Sequence, residues 1–320
     1  MKVVQTNISQ VNLYNELNLD SIKIDETLVF DIFIKRDKNY VIIIEAGTML
    51  SQELYNKLQK QDKLFIAKKD AKNQEFTCQS LYIYVKHNKN DLKKSLNFLY
   101  DASIDVFSDF LNSKDNVIEI PCIKEIVKSI VFLLKNNPNF LKETIPHFAN
   151  DYKLAYHSLH VSIYAICIAH YINLTDNQLK QIGLAGLMHD TGIKDVDDSI
   201  KNKDSELSIK ELEAVQKHST YSSNIAIKNN ITDPYILDGI RRHHECYDGT
   251  GYPDRLHGKD ISIFASILAI SDVFDALTSD RPHRKDKSTF DALKIMMKDD
   301  SMVGKFNQEY LKIFLQSFLK

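Results

Sequence analysis

The sequence predicts a mainly α-helical protein: a small N-terminal α/β module over residues 1–90, a helical connector over 91–150 and an all-helical domain over 151–320. Three observations predict it. Paired β-branched runs of strand length, 29–34 and 40–44, fall in the first module. No glycine occurs between Gly47 and Gly183, which favours long uninterrupted helices there. Beyond residue 150, capping signals recur ahead of apolar runs of helical period.

In order, Val29-Phe30-Asp31-Ile32-Phe33-Ile34 and Tyr40-Val41-Ile42-Ile43-Ile44 read as two strands of a hairpin joined by the polar tetrad Lys35-Arg36-Asp37-Lys38. Gly47 ends the second strand, Ser51 caps a short helix carrying Leu54, Tyr55 and Leu58, and Leu64-Phe65-Ile66-Ala67 reads as a further strand. From Asp91 onward Leu92, Leu96, Leu99, Val106 and Phe110 recur at helical spacing, as do Ile123, Ile126, Val127, Ile130 and Leu134. These helices read equally well as a connector transmitting a shift from the front module and as an ordinary layer of the core. In the third segment His157 shares a helix with Val161, Tyr164, Ala165 and Ile168. The capping box Thr175-x-x-Gln178 opens the helix that runs into His189-Asp190, and Ser208-x-x-Glu211 opens the one that carries His218. Asp233-Pro234 starts the helix that delivers His243 and His244, and residues 261–277 form one that carries Asp272.

A length of 320 residues suggests roughly two domains, and 43% hydrophobic with 26% charged residues suits an ordinary globular core. The net charge of -2 argues against a broad nucleic-acid or membrane-surface face. An anionic ligand would have to be held by local groups. Cys78, Cys122, Cys167 and Cys246 show no paired spacing, which suits a reduced, cytoplasmic protein, with Cys246 an incidental loop thiol. The N-terminus has no apolar signal core, and no stretch reaches the roughly 18 apolar residues of a membrane span.

The chemistry concentrates in His243-His244-Glu245-Cys246-Tyr247-Asp248-Gly249-Thr250-Gly251-Tyr252-Pro253, where paired imidazoles and a carboxylate run into a glycine-proline turn. A lone His-His-Glu is as often a solvated helix end. Here His157, His189-Asp190 and His218 precede it and Asp272 follows, mostly on helical segments. Helices can aim such side chains inward from several directions, as four-helix bundles do around dinuclear centres. Buried unpaired, these groups would cost several kcal/mol each, a cost that coordination removes. The set His157, His189, Asp190, His218, His243, His244 and Asp272 therefore reads as one buried polynuclear metal site. Asp190, with two oxygens, can bridge two cations roughly 3.5–4 Å apart. His157, His189 and Asp272 are grouped around one metal and His218, His243 and His244 around the other, a division that the sequence leaves open.

His189-Asp190 resembles the signature dyad of the HD phosphohydrolase superfamily. The run from His243 to Pro253 is similar to the defining motif of its HD-GYP branch, the bacterial cyclic di-GMP phosphodiesterases. The likeness extends from about Tyr156 to Arg284 and takes in Asp198-Ser199-Ile200, Asn202-Lys203 and the run from Ile270 to Ser279. It implies an all-helical HD-type catalytic domain that hydrolyses cyclic di-GMP to linear pGpG or GMP through a water held between two divalent metals. Iron or manganese are the metals the family uses; zinc or nickel also accept such ligands. The likeness further implies that Gly251, Tyr252 and Pro253 form a lip against the dinucleotide, and that Arg281 and Arg284 meet its phosphates, guanidinium forks matching phosphate geometry. A signalling protein could dock on the loop of Gly251–Pro253, a homodimer is compatible with the chain, and neither a nucleic-acid polymer nor a membrane is expected as partner.

Four positions depart from the family pattern. A glutamate that binds a third metal in some members is Lys153 here, so two metals are expected. The phosphate-holding lysine three residues after the dyad's aspartate is Ile193, with Lys194 one residue later as the candidate catalytic lysine. A one-residue shift on a helix or turn rotates a side chain by about 100°. A glycine four residues after the third histidine is Ser222, and the tyrosine of the Arg-Pro-Tyr-Arg segment is His283. A weak or inactive cyclic-dinucleotide receptor, signalling through the front module, is the alternative to the enzyme.

Overall fold

The computed structural model describes residues 14–318, apart from 20–21, 23, 26–27, 29, 37–38, 68–80, 87, 146–152, 202, 204 and 281–285. The chain divides into two compact units, Met1–Tyr84 and Val85–Lys320.

The first unit holds β1 (Tyr14–Leu17), β2 (Ile32–Arg36), β3 (Asn39–Ile44), α1 (Gln52–Leu58) and β4 (Leu64–Ala67) in an antiparallel sheet of order β1-β4-β2-β3. The β2–β3 hairpin forms from the paired β-branched runs, but β2 starts at Ile32 and runs into the polar tetrad, and β3 starts one residue early at Asn39: Lys35 pairs with Tyr40 and Arg36 with Asn39. Ile32, Ile44, Leu50, Leu58, Leu64 and Ile66 pack into its core. Ser51 caps α1, its hydroxyl accepting from Leu54 N. Gly47, at φ 89°, makes the turn after β3 that an L side chain would resist. The strand β1 escapes sequence reading because Tyr14-Asn15-Glu16-Leu17 has no apolar alternation; it is held by pairing with β4 at the edge of the sheet.

The second unit is helical among the described residues. Helices α2 (Leu92–Asn112), α3 (Ile120–Asn136) and α4 (Phe140–Thr144) lead into α5 (Leu154–Tyr171), which is buried on nearly every side. A helix apolar all round belongs at the centre of a bundle. Helices α2, α3, α6 (Asp176–Met188), α11 (Ile263–Thr278) and α13 (Gln308–Ser317) all pack against α5. The helices read as a connector thus lie in the same compact unit as the rest of the bundle. Between α6 and α11 come a 3-10 turn (Thr191–Asp195), α7 (Asp198–Lys201), α8 (Ile209–Gln216), α9 (His218–Lys228) and α10 (Pro234–Arg242); α12 (Thr289–Lys298) follows α11. Both expected capping boxes form, at Thr175 and at Ser208. Asp233 caps α10 with Pro234 in its first turn. Helix α11 starts at Ile263, later than residue 261, because Ser262 takes the N-cap.

No helix among the described residues is long and apolar enough to cross a membrane. Among the described residues Cys167, buried, and Cys246, half-buried, are free thiols, and Cys78 lies outside the described residues.

Candidate metal centre

Three of the histidines use one local device. His189 is the C-cap of α6, His243 the C-cap of α10, and His218 follows α8 after a single residue. Each turns Nδ1 onto the carbonyl three residues back: His189 to Gly186 O at 2.8 Å, His218 to Val215 O at 2.7 Å, His243 to Ile240 O at 2.7 Å. Carbonyls at a helix C-terminus lack an intrahelical donor, so the bond satisfies both partners. A carbonyl only accepts, so Nδ1 carries the proton and Nε2 of each neutral ring keeps its lone pair. His157, on α5, reaches the same state from another direction, its Nδ1 lying 2.8 Å from Asp275 Oδ2.

These four Nε2 atoms converge. His157 Nε2 is 3.2 Å from His189 Nε2, His218 Nε2 is 3.4 Å from His243 Nε2, and His244 Nε2 is 3.1 Å from His218 Nε2. Asp190 spans the set. Its Oδ1 faces His218 at 3.2 Å and His243 at 3.6 Å, while Oδ2 faces His157 at 3.5 Å and His189 at 3.6 Å. Asp272 Oδ1 is 3.3 Å from His157 Nε2, and its Oδ2 is 3.8 Å from His244 Nδ1. The donor atoms fall into two groups, Asp190 with His218, His243 and His244, and His157 with His189 and Asp272, all within 4.8 Å of one another in each group. Lone pairs and carboxylate oxygens brought this close in a buried site repel one another unless cations lie among them. The donor set therefore fits divalent metal ions.

Protonation follows the same logic. Burial holds His189 down at about 4 and His244 well below the ordinary histidine value. Burial would do the same to His218, but the Asp190 carboxylate beside it raises it instead. Burial opposes ionisation of Asp190, yet the surrounding imidazoles, His189 first and then His157, His218 and His243, keep its carboxyl well below the usual range.

Around this core the loop after α10 is held by groups that sequence reading left without a role. Glu245, buried, accepts from Asp254 N at 2.7 Å and Leu256 N at 2.9 Å. Arg241 and Arg242 both donate to Asp254. Gly251 passes so close beneath this turn that a Cβ would lie 2.2 Å from Cys246 N. Tyr252 stacks on His244 with ring centroids 4.7 Å apart, its hydroxyl kept protonated by burial and by Asp272 and Asp190; Pro253 follows through a cis peptide. The His244 side chain retains 26% exposure, so the centre opens on the His244–Tyr252 side. Asp275 was read only as part of a motif, although its place one turn after Asp272 puts both carboxylates near one face of α11.

Lys194 is not brought to the cluster. Its Nζ donates to Phe110 O at 2.6 Å and Ser113 O at 2.5 Å and lies 4.5 Å from the Phe110 ring centroid. This corrects the expectation of a phosphate-facing lysine: the rotation per residue turns it onto the C-terminus of α2, whose last carbonyls and negative dipole end attract a cation. Lys153 Nζ sits 5.3 Å from the Tyr156 ring centroid. Arg281, His283 and Arg284 lie outside the described residues.

The sequence matches the HD domain family over residues 128–304. A Pseudomonas aeruginosa protein named cyclic di-GMP phosphodiesterase PA4108 is 31% identical over 193 residues, 60% of this chain and 46% of that protein. A Vibrio cholerae protein named 3'3'-cGAMP-specific phosphodiesterase 3 is 35% identical, the match covering 44% of this chain and 30% of that protein. The Xanthomonas campestris response regulator RpfG, also named a cyclic di-GMP phosphodiesterase, is 36% identical over 39% of this chain and 33% of its own length. The chain thus spans less than half the length of these relatives. Among solved structures, Bd1817, described as an HDG"Y"P protein from Bdellovibrio bacteriovorus, superposes with a TM-score of 0.63 at 17% identity, covering 96% of this chain and all of that one, a likeness of fold. With the family matched over more than half of its residues, and with His189-Asp190 inside the matched segment, the chain belongs to the HD domain family.

Proposed function

We propose that the chain is a metal-dependent cyclic-dinucleotide phosphodiesterase, with cyclic di-GMP as the substrate and linear pGpG or GMP as the product. One observation carries the reading: the Nε2 lone pairs of His157, His189, His218 and His243 converge on both oxygens of Asp190 in a buried site. His157, His189 and Asp272 would hold one divalent cation and His218, His243 and His244 a second, with Asp190 shared; iron or manganese suits this histidine-rich set. When bound, such cations lower the pKa of a coordinated water and draw charge from phosphate oxygens. The chain's own residues set the rest. The carbonyls of Gly186, Val215 and Ile240 fix three tautomers, so these rings need no reorganisation on loading. Tyr252 and His244 wall the open side, where Tyr252 can stack on a base or donate its hydroxyl. Relatives named as cyclic di-GMP and 3'3'-cGAMP phosphodiesterases support a cyclic dinucleotide as the substrate class.

Lys194 favours a second reading, a weakly catalytic receptor, because its ammonium is committed to the carbonyls of Phe110 and Ser113. Chromatographic product analysis on anaerobically purified protein loaded with manganese or iron separates the two. Linear dinucleotide or GMP from cyclic di-GMP, absent with His189→Ala/Asp190→Ala, supports the enzyme. Tight binding with the dinucleotide returned intact under both metals supports the receptor and overturns the enzyme. Faster turnover of 3'3'-cGAMP than of cyclic di-GMP overturns the choice of substrate alone.

A further inference from the structure

A buried chain of hydrogen bonds leads from α2 to the metal centre. The Tyr100 hydroxyl lies 2.5 Å from His160 Nε2, His160 Nδ1 lies 2.8 Å from Asp275 Oδ1, and Asp275 Oδ2 lies 2.8 Å from His157 Nδ1. Ser279 Oγ also donates to Asp275 Oδ2, at 3.3 Å. All four linked groups are buried: Tyr100 is 7% exposed, His160 and Asp275 1%, His157 2%. The polarity is consistent from end to end. With both rings neutral, Tyr100 O–H donates to the lone pair on His160 Nε2, His160 Nδ1–H donates to one oxygen of Asp275, and His157 Nδ1–H to the other. His157 Nε2 is thereby left unprotonated and aimed at His189, Asp190 and Asp272.

Each link comes from a different part of the fold. Tyr100 stands on α2, upstream of the segment that matches the HD domain family; His157 and His160 are one turn apart on α5; Asp275 is on α11. His189, His218 and His243 are each anchored at Nδ1 by a carbonyl three residues back, whereas His157 Nδ1 is anchored by the side chain of Asp275 on another helix. The orientation of the His157 ring follows that of Asp275, whose Oδ1 is held by His160 and whose Oδ2 is shared between His157 and Ser279. His160 in turn has its far nitrogen engaged by Tyr100.

Resting on the metal-centre reading above, we infer that Tyr100 and His160 are positioning residues that act through Asp275 to orient His157 and set the metal affinity of the His157–His189–Asp272 group. The hydrogen-bonded partners of metal-ligating histidines typically change metal affinity about 10- to 100-fold when removed. Asp275→Asn should fall in that range, and Tyr100→Phe, two links further out, should weaken binding by roughly 3- to 10-fold, an expectation extrapolated from the same behaviour.

The test is calorimetric titration of Mn(II) into the metal-free full chain, alongside thermal unfolding of the same metal-free samples. Leu134→Ala on α3 serves as the control, since it removes buried apolar volume from a residue that is no link of the chain. Weaker Mn(II) binding by Tyr100→Phe and Asp275→Asn, with Leu134→Ala less thermostable but binding as the wild type does, is the expected result. Wild-type affinity in Tyr100→Phe and Asp275→Asn, accompanied only by a lower Tm, would make the chain a packing feature and overturn the inference. A wild-type protein that binds no Mn(II) would overturn the metal-centre reading itself, and the inference with it.

Discussion

The backbone N–H of Gly192 donates to Ser222 Oγ at 2.7 Å, joining the turn after the His189-Asp190 pair to the helix that begins with His218. The approach is so close that a Cβ on Gly192 would lie 2.2 Å from His218 O and 2.4 Å from Ser222 N. Both are backbone atoms, which cannot swing away. Gly192→Ala should therefore part the two elements and separate Asp190 from His218, costing on the order of 3 kcal/mol or more, in the upper range for point substitutions. Ser222→Ala leaves a buried N–H unsatisfied and should cost roughly 1–3 kcal/mol. Denaturant unfolding of both variants checks the order, and a Gly192→Ala protein as stable as the wild type would contradict it.

Asp190 faces two histidines of each half of the cluster, one carboxylate oxygen to each half. Asp190→Ala should abolish tight binding of divalent metal, measured as bound metal per chain after desalting. A ligand that binds only the folded state adds about 2.7 kcal/mol at a hundred times its Kd. Manganese should consequently raise the wild-type Tm, a chelator should reverse the rise, and neither should move Asp190→Ala. A variant that retains the metal-induced shift would place the cation elsewhere.

How much of this was legible in the sequence depends on the range of each interaction. The capping boxes at Thr175 and Ser208 are local, and they form. The convergence of His157, His189, His218, His243, His244 and Asp272 on Asp190 was legible because polar groups in apolar helices demand partners. What sits behind those side chains was less so. His160 reads as another histidine on an apolar helix until Tyr100, 60 residues away, and Asp275, 115 away, are brought to it. Glu245 stands in the most conspicuous motif of the chain, yet its partners are backbone N–H groups, which no side-chain pattern reports. The strand Tyr14–Leu17 is specified by its pairing with Leu64–Ala67 rather than by its own polar sequence.

Lys194 illustrates the same limit and supplies a third prediction. Its ammonium closes the C-terminus of α2 through the carbonyls of Phe110 and Ser113, more than 80 residues away along the chain. Lys194→Met keeps the stem over the Phe110 ring and removes the donor. It should lower stability by about 1–2 kcal/mol, in line with a lost charged hydrogen bond, and leave Mn(II) affinity as in the wild type. A stable Lys194→Met protein with a tenfold loss of turnover would instead return the lysine to the reacting phosphate.

The loop that walls the open side of the centre should respond to acid through Asp254. Hydrogen bonds from Arg241, and further interaction with Arg242, depress its carboxyl from 3.8 to about 2. A carboxylate whose folded pKa lies below its unfolded one stabilises the folded state at pH above the unfolded value, and that contribution is lost as pH falls through the folded value. The stability difference between the wild type and Asp254→Asn should accordingly be constant above about pH 4 and shrink towards zero near pH 2. Glu211, held at about 2 first by Lys203, titrates in the same window, but it is common to both proteins and cancels in the difference. The pair with Arg241 is partly solvated, with side chains 35% and 27% exposed, so the difference should be modest and should fall further with added salt. Denaturant midpoints of the two proteins between pH 2 and 6 measure it. A difference that is flat across that range would show that Asp254 holds the loop by its shape and backbone contacts, with no help from its charge.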